Sequence, residues 1–280
     1  MTKQGTKYED FFALHARSEA FVVPNAWDAG SARILSSLGF EALATTSAGY
    51  AFSKGKRDCF AALSQAEILS NAQEIVEATD LPVSADLEDG FGVKPEACAD
   101  TIERAIDVGL VGGSIEDATG DPNNPIYDFD QAVDRIAAAS DAKNGKPFLL
   151  TARAENWLWG IPDLADTIRR LQAFCEAGAD VVYAPGLPDI DAIRTVCAEV
   201  PKPVNVVMGL KGLSYSVTEL SEAGVQRISV GGSFARAALG ALRRAAIEVT
   251  TEGTFSYAED AISDSEAASL MLQSKPASRQ

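Results

Sequence analysis

The sequence predicts an α/β protein folded as a (β/α)8 barrel, on three observations. Eight short, β-rich apolar runs alternate with eight amphipathic stretches of helical period along the 280 residues. Glycine stands at the end of several amphipathic stretches, directly before the next apolar run, as in EAGAD at 176–180 and SEAGVQR at 221–227. There its tolerance of positive φ ends a helix. Polar clusters follow many different strands, and no GxGxxG follows the first, which disfavours a doubly wound open sheet.

Taken in order, a helix before the first strand carries His15, the only histidine. The run FVVP at 21–24 is the first strand, followed by a helix over 28–38. A second strand at 42–46 leads through a long loop into a helix over 65–78. Strand and helix then alternate at 82–86 and 96–108, 112–116 and 130–142, 147–153 and 161–176, and 180–184 and 190–199. The last two units are 204–207 with 217–222 and 227–230 with 233–249. Beyond them the pattern changes, and two short helical segments are expected near 257–262 and 264–272, with 275–280 as a frayed tail. The expected division is a catalytic barrel with its N-terminal helix over 1–250 and a helical extension over 251–280.

Composition narrows the function. A net charge of -16 disfavours nucleic acid and anionic membrane as partners, because both need clustered Lys and Arg. Anionic substrates remain open, since a bound metal and one or two arginines can reverse the field locally. No segment reaches membrane-spanning length, and the first 18 residues lack the apolar core of a secretion signal. Cys59, Cys98, Cys175 and Cys197 are scattered without metal-ligand spacing and read as reduced thiols of a cytoplasmic protein.

Barrel strands deliver their C-terminal ends to one face. That face would gather Thr45, Thr46, Ser47, Ala48 and Gly49 after the second strand, followed by Asp58. Asp86 and Glu88 follow the third strand, in PVSADLEDGFG, and Glu116 and Asp117 the fourth. Arg153 and Glu155 follow the fifth, and Asn205 lies on the seventh. Carboxylates crowded at one point repel one another unless a cation sits among them, and a hard divalent ion is the simplest candidate. One arginine facing them suits a small carboxylate. The site would bind a metal-chelated oxyacid.

The motifs SADLEDGFG, GGSIED, LTARAE and TTSAGYAFSKGKRD, spread over residues 21–249, resemble the isocitrate lyase and phosphoenolpyruvate mutase superfamily. The resemblance implies a (β/α)8 barrel whose last helix is often exchanged between subunits, in a homo-oligomer, dimer or tetramer. It implies Mg2+, with Mn2+ as a substitute, and a small 2-oxo or dicarboxylic acid that reacts through an enolate. Asp86 is similar to the family's direct metal ligand, and Asp58, Glu88 and Glu116 to those that hold the ion through water. Ser47, with the backbone of Ala48 and Gly49, matches the segment that grips the substrate carboxylate and enolate oxygen. Arg153 matches the carboxylate-binding arginine, Asn123 partly matches an Asn of the mutases' gating loop, and Asn205 loosely matches a substrate contact.

The chain also departs from the family. The loop after the fourth strand reads ATGDPNNP where isocitrate-type lyases carry a KKCGH cysteine, and YAPG replaces the mutases' histidine after the sixth. An isocitrate-type reaction is therefore not expected. A carbon–carbon lyase, acting as a decarboxylase or hydrolase on an oxaloacetate-like acid, needs little beyond an electron sink. Phosphonate P–C chemistry and non-catalytic oxyacid binding are the alternatives. Tyr50, Lys54 and Tyr183 are the remaining candidate acids.

Overall fold

Pro24 splits the first barrel strand in two, because proline has no N–H for the ladder. The structure, a computed structural model, describes residues 2–58, 62–212 and 214–272. Cys59 and the expected tail at 275–280 lie outside them. After α1 (Lys3–His15) come the strand halves β1 (Phe21–Val23) and β2 (Asn25–Ala26), then α2 (Ala29–Ser37), β3 (Leu43–Thr45), α3 (Ser47–Ser53) and α4 (Gln65–Ala78). The chain continues through β4 (Val83–Asp86), α5 (Pro95–Asp107), β5 (Gly112–Glu116), β6 (Ala118–Asp121), β7 (Asn124–Ile126) and α6 (Phe129–Lys143). β8 (Leu149–Arg153), α7 (Leu164–Glu176), β9 (Val181–Tyr183), α8 (Ile190–Glu199), β10 (Val204–Val207), α9 (Val217–Glu222), β11 (Arg227–Ser229) and α10 (Ser233–Thr251) complete the barrel.

All pairings in the main sheet are parallel, and its order is β1-β11-β10-β9-β8-β5-β4-β3-β2. β1 pairs with β11 and β2 with β3, so the two halves of one strand close the ring. The expected (β/α)8 barrel is thus the observed architecture. Gly178 and Gly224 end α7 and α9 just before the next strand at φ +102 and +94, as the sequence predicts.

Two elements occupy stretches read as loop. α3 forms because Thr46 caps it, its Oγ1 accepting from the Gly49 N–H at 3.2 Å. β6 and β7 make an antiparallel hairpin above β5. In the extension, the first short helix is a 3-10 turn over Ser256–Glu259, and the second is α11 (Asp264–Leu270). Among the described residues no helix is long and apolar enough to cross a membrane.

The main core lies between strands and helices, with Ile102, Ile115, Leu150, Leu171 and Phe174 fully buried. A smaller cluster, Phe11, Leu14, Phe21, Val23 and Leu149, seats α1 across the N-terminal end of the strands. His15 packs beside this second layer, at the N-terminal end of the strands. Its ring meets Phe11 and Phe21 edge to face, with centroids 4.8 and 4.9 Å away. Nδ1 donates to the Phe11 carbonyl at 2.8 Å, while Nε2 is buried without a partner among the described residues.

Burial, reinforced by the nearby Arg227 charge, pushes the His15 pKa down to about 3. Between about 6.5 and 3 the unfolded chain therefore takes up a proton that the folded one refuses. Stability should fall as pH drops through that window, with a slope from this group approaching about 1.4 kcal/mol per pH unit. Urea titrations of the wild type and His15→Phe at pH 4 to 7 measure it. The variant should lose less stability over that range, and parallel pH curves would contradict the assignment.

Candidate active site

A cavity of about 830 Å3 opens at the C-terminal ends of the strands. Asp86 reaches it from the end of β4, where its own N–H donates to Thr45 Oγ1 at 3.0 Å. Ser47, the first residue of α3, donates to Asp86 Oδ2 from both its backbone N–H, at 3.3 Å, and its hydroxyl, at 2.9 Å. Cap and carboxylate thereby fix one another.

Glu88 projects into the same cavity from a turn that bends sharply back. Glu88 and Phe91 adopt φ +48 and +61, and Gly90 between them +84, a region that disfavours side chains. The turn persists because it is tied down: the Glu116 N–H donates to the Glu88 carbonyl at 2.9 Å, and the Phe91 N–H to Asp89 Oδ1 at 2.9 Å. Asp89 faces away from the cavity, accepting from the Tyr127 hydroxyl at 3.3 Å beside the buried Arg135.

Arg153, at the end of β8, lies at the centre of the acids. Its guanidinium meets Asp86 at 3.2 Å, Glu116 at 3.1 Å and Glu155 at 2.8 Å, and stands 5.0 Å from the centroid of the Tyr183 ring. Burial opposes its charge, but Glu155, Glu116 and Asp86 more than offset that and hold it well above its ordinary pKa. Carboxylate ionisation is costly here in turn. Burial, with Asp86, Asp89 and Asp58 as like charges, pushes Glu88 up to about 8. Burial also raises Glu116, only partly relieved by Arg153.

Of the residues singled out from sequence, Ser47, Ala48, Asp58, Asp86, Glu88, Glu116, Arg153 and Asn205 all line this one cavity. Gly49 sits just behind, packed so closely on Trp27 and Ala235 that an added Cβ would lie 3.0 and 3.1 Å from their Cβ atoms. Asn123 stands at the exposed tip of the β6–β7 hairpin, bonded to Asp121, while Gly120 and Pro122 of that hairpin face the cavity. The Asn205 side chain joins Ser229 and Arg227, at 3.0 and 2.8 Å.

Sequence reasoning missed the cavity's polar floor of Asn25, Ser84, Ser114, Arg227 and Ser229. A register-resolved alternation along the strands was the only signal that could have found them. Among the described residues, no Cys or His lines the cavity.

The donor set fits a hard cation. Four carboxylates line the cavity with oxygen donors only, and burial and like charges raise the pKa of both Glu88 and Glu116, a repulsion that a divalent ion relieves. Among the described residues no three such groups come close enough to hold an ion unaided. An arrangement with one carboxylate in contact and the rest acting through water is what Mg2+, which keeps several of its waters, accepts.

Comparison with known proteins bears on the fold and the family. The family model described as phosphoenolpyruvate phosphomutase matches residues 11–250. A solved lyase/mutase candidate from Burkholderia cenocepacia J2315 is 54% identical, with TM-score 0.93 over 95% of this chain and 96% of that one. The structure of 2,3-dimethylmalate lyase, a PEP mutase/isocitrate lyase superfamily member, is 26% identical, with TM-score 0.85 over 97% and 95%. The 2-methylisocitrate lyase of Shewanella oneidensis is 28% identical over 76% of this chain and 75% of its own length. With its barrel, its four motifs and nearly its whole length matched, the chain belongs to the phosphoenolpyruvate mutase/isocitrate lyase superfamily.

Proposed function

We propose that the protein is a Mg2+-dependent carbon–carbon lyase that acts, as decarboxylase or hydrolase, on a small 2-oxo acid of the oxaloacetate type through an enolate. The observation that carries this reading is a single guanidinium, Arg153, held among three carboxylates at the mouth of the cavity. When bound, Mg2+ supplies a Lewis acid beside Asp86, with Glu88, Glu116 and Asp58 acting through water. Arg153 binds the substrate carboxylate in its planar fork, exchanging acid partners as the substrate enters. The Ala48 N–H at the start of α3, and the Ser47 hydroxyl once it turns from Asp86, stabilise the negative charge that develops on the enolate oxygen. The β6–β7 hairpin reaches the cavity through Gly120 and Pro122. Because no Cys or His lines the cavity among the described residues, a reaction that ends with solvent protonating the enolate fits better than one needing a placed general acid.

The test is a panel of 2-oxo acids with Mg2+, followed for pyruvate, CO2 and acetate. Turnover of oxaloacetate is the expected result. The family description favours P–C chemistry as a second reading, and phosphonopyruvate followed by 31P NMR separates the two. Oxalate binding without turnover of any acid would overturn both and leave a binding protein.

The assembly belongs to the same proposal. α10 runs 19 residues with only Ala235 buried, and leaves Leu239, Leu242 and Ile247 exposed. A helix with so wide an uncovered apolar face is suited to exchange with a second copy of the chain. Light scattering should give a dimer or tetramer, and Leu239→Asp with Leu242→Asp should give a smaller species. A wild-type monomer would contradict this. The free thiols Cys98, Cys175 and Cys197 suit a cytoplasmic setting.

A further inference from the structure

Among the described residues three arginines are buried and a fourth, Arg153, is partly buried, and one of the four differs from the rest. Arg135 lies against Asp89, Arg170 against Asp117 and Asp166, and Arg153 against three carboxylates. Arg227 is 5% exposed, yet among the described residues no carboxylate pairs with it. Its partners are neutral: Nε donates to Asn205 Oδ1 at 2.8 Å, and one terminal nitrogen, Nη2, donates to Thr151 Oγ1 at 2.9 Å. The other terminal nitrogen, Nη1, has no hydrogen bond among the described residues, and Arg227 lines the catalytic cavity. Burial lowers its pKa to about 10, so it is still a cation at neutral pH. A buried cation without a counter-charge is costly, and that cost is recovered when an anion arrives.

Its position says which anion. Thr151 precedes Arg153 by two residues on β8, so the Arg227 fork sits about one inward layer, roughly 7 Å of strand, below the Arg153 head. Asn205, held by Ser229, fixes the fork from the side. Barrel interiors at this depth are ordinarily filled by bulky apolar residues. Here Ser84, Ser114 and Ser229 leave room instead.

We infer that Arg227 is a specificity-determining residue that binds the distal carboxylate of a dicarboxylic substrate, while the acid group next to the reacting carbonyl is held at the mouth of the cavity. This rests on the oxyacid reading above. It adds that monocarboxylic 2-oxo acids are poor substrates, because they leave the buried guanidinium unpaired.

Malate and lactate test it, since they share a 2-hydroxy acid head and differ in the second carboxylate; oxalate reports on the mouth of the cavity alone. Calorimetry of the Mg2+-loaded wild type should show malate binding roughly 10- to 100-fold tighter than lactate, the range expected of a charge-assisted hydrogen-bonded pair. Arg227→Met should abolish that preference while leaving lactate and oxalate unchanged, and Arg227→Lys should retain part of it. Equal weakening of malate and lactate, or an unchanged preference, overturns the inference. Should Arg227→Met fail to fold, a malate soak of wild-type crystals decides: a carboxylate bonded to Arg227 supports the inference, and malate bound elsewhere refutes it. Oxalate binding without a malate preference sinks this inference alone. If none of the three acids binds, the oxyacid reading fails and this inference with it.

Discussion

Asp86→Ala should lower turnover of the accepted 2-oxo acid by roughly a hundred- to a thousandfold, the loss expected when one preorganised electrostatic group leaves a reacting centre. Among the described residues Asp86 is the only carboxylate that meets both Ser47 and Arg153, so its removal disconnects the group at the enolate oxygen from the one that binds the carboxylate. Stability should move the other way or not at all. After burial, the Asp86 charge is the largest cause of the raised Glu88 pKa, and deleting it relieves a repulsion. Arg153 keeps Glu116 and Glu155 as partners. The variant should therefore melt at or above the wild-type temperature without Mg2+, yet lose the rise in Tm that the wild type gains by binding Mg2+ in its folded state. Full activity with an unchanged Mg2+ response would remove Asp86 from the centre of the site.

Most of the barrel was legible in the sequence because its signal is local and repeated. Short β-branched runs, amphipathic stretches and the glycines between them each report on a few consecutive residues, and the helix over 65–78 appears at those bounds. The rim of the site was legible for the same reason, since strand ends converge by construction in this fold. What escaped was set by distance across the chain. SAGYAFS does not carry a strong helical pattern, and α3 is held by the Thr46 cap and by packing on Trp27 and Ala235. Arg227 reads as an ordinary residue at the start of a strand. Only the register, Asn205 opposite Arg227 and Ser229 opposite Val207, shows that it turns inward onto Thr151. The role of Asn205 was equally hard to read, because its partners are 22 and 24 residues away.

Arg170→Met should destabilise the fold by about 3–5 kcal/mol, the loss typical of breaking a buried ion pair from one side. Arg170 donates to Asp117 at 3.1 Å, to the Tyr127 carbonyl at 2.9 Å and to Asp166 at 2.8 Å, tying α7 to the segments beneath the active face. Asp117 is 3% exposed, and burial already pushes its pKa up to about 7 with Arg170 in place. Without the guanidinium, its charged form is left almost unsupported. The sign of the pH dependence follows. Asp117 binds its proton more tightly folded than unfolded, so the variant should be least impaired in mild acid and lose more as pH rises through 7. Arg170→Met combined with Asp117→Asn should recover much of the loss, because the orphaned charge goes with its partner. Urea titrations of both single variants and the double variant at pH 5.5 and 8 make the comparison. Additive losses, or a single-variant cost under about 1 kcal/mol, would show that the pair does not hold the layer together. The effect should also reach the chemistry, because Asp117 accepts the Glu155 N–H at 2.8 Å while the Glu155 carboxylate steadies Arg153. A folded Arg170→Met protein is therefore expected to bind oxalate more weakly than wild type, through an arginine it never touches.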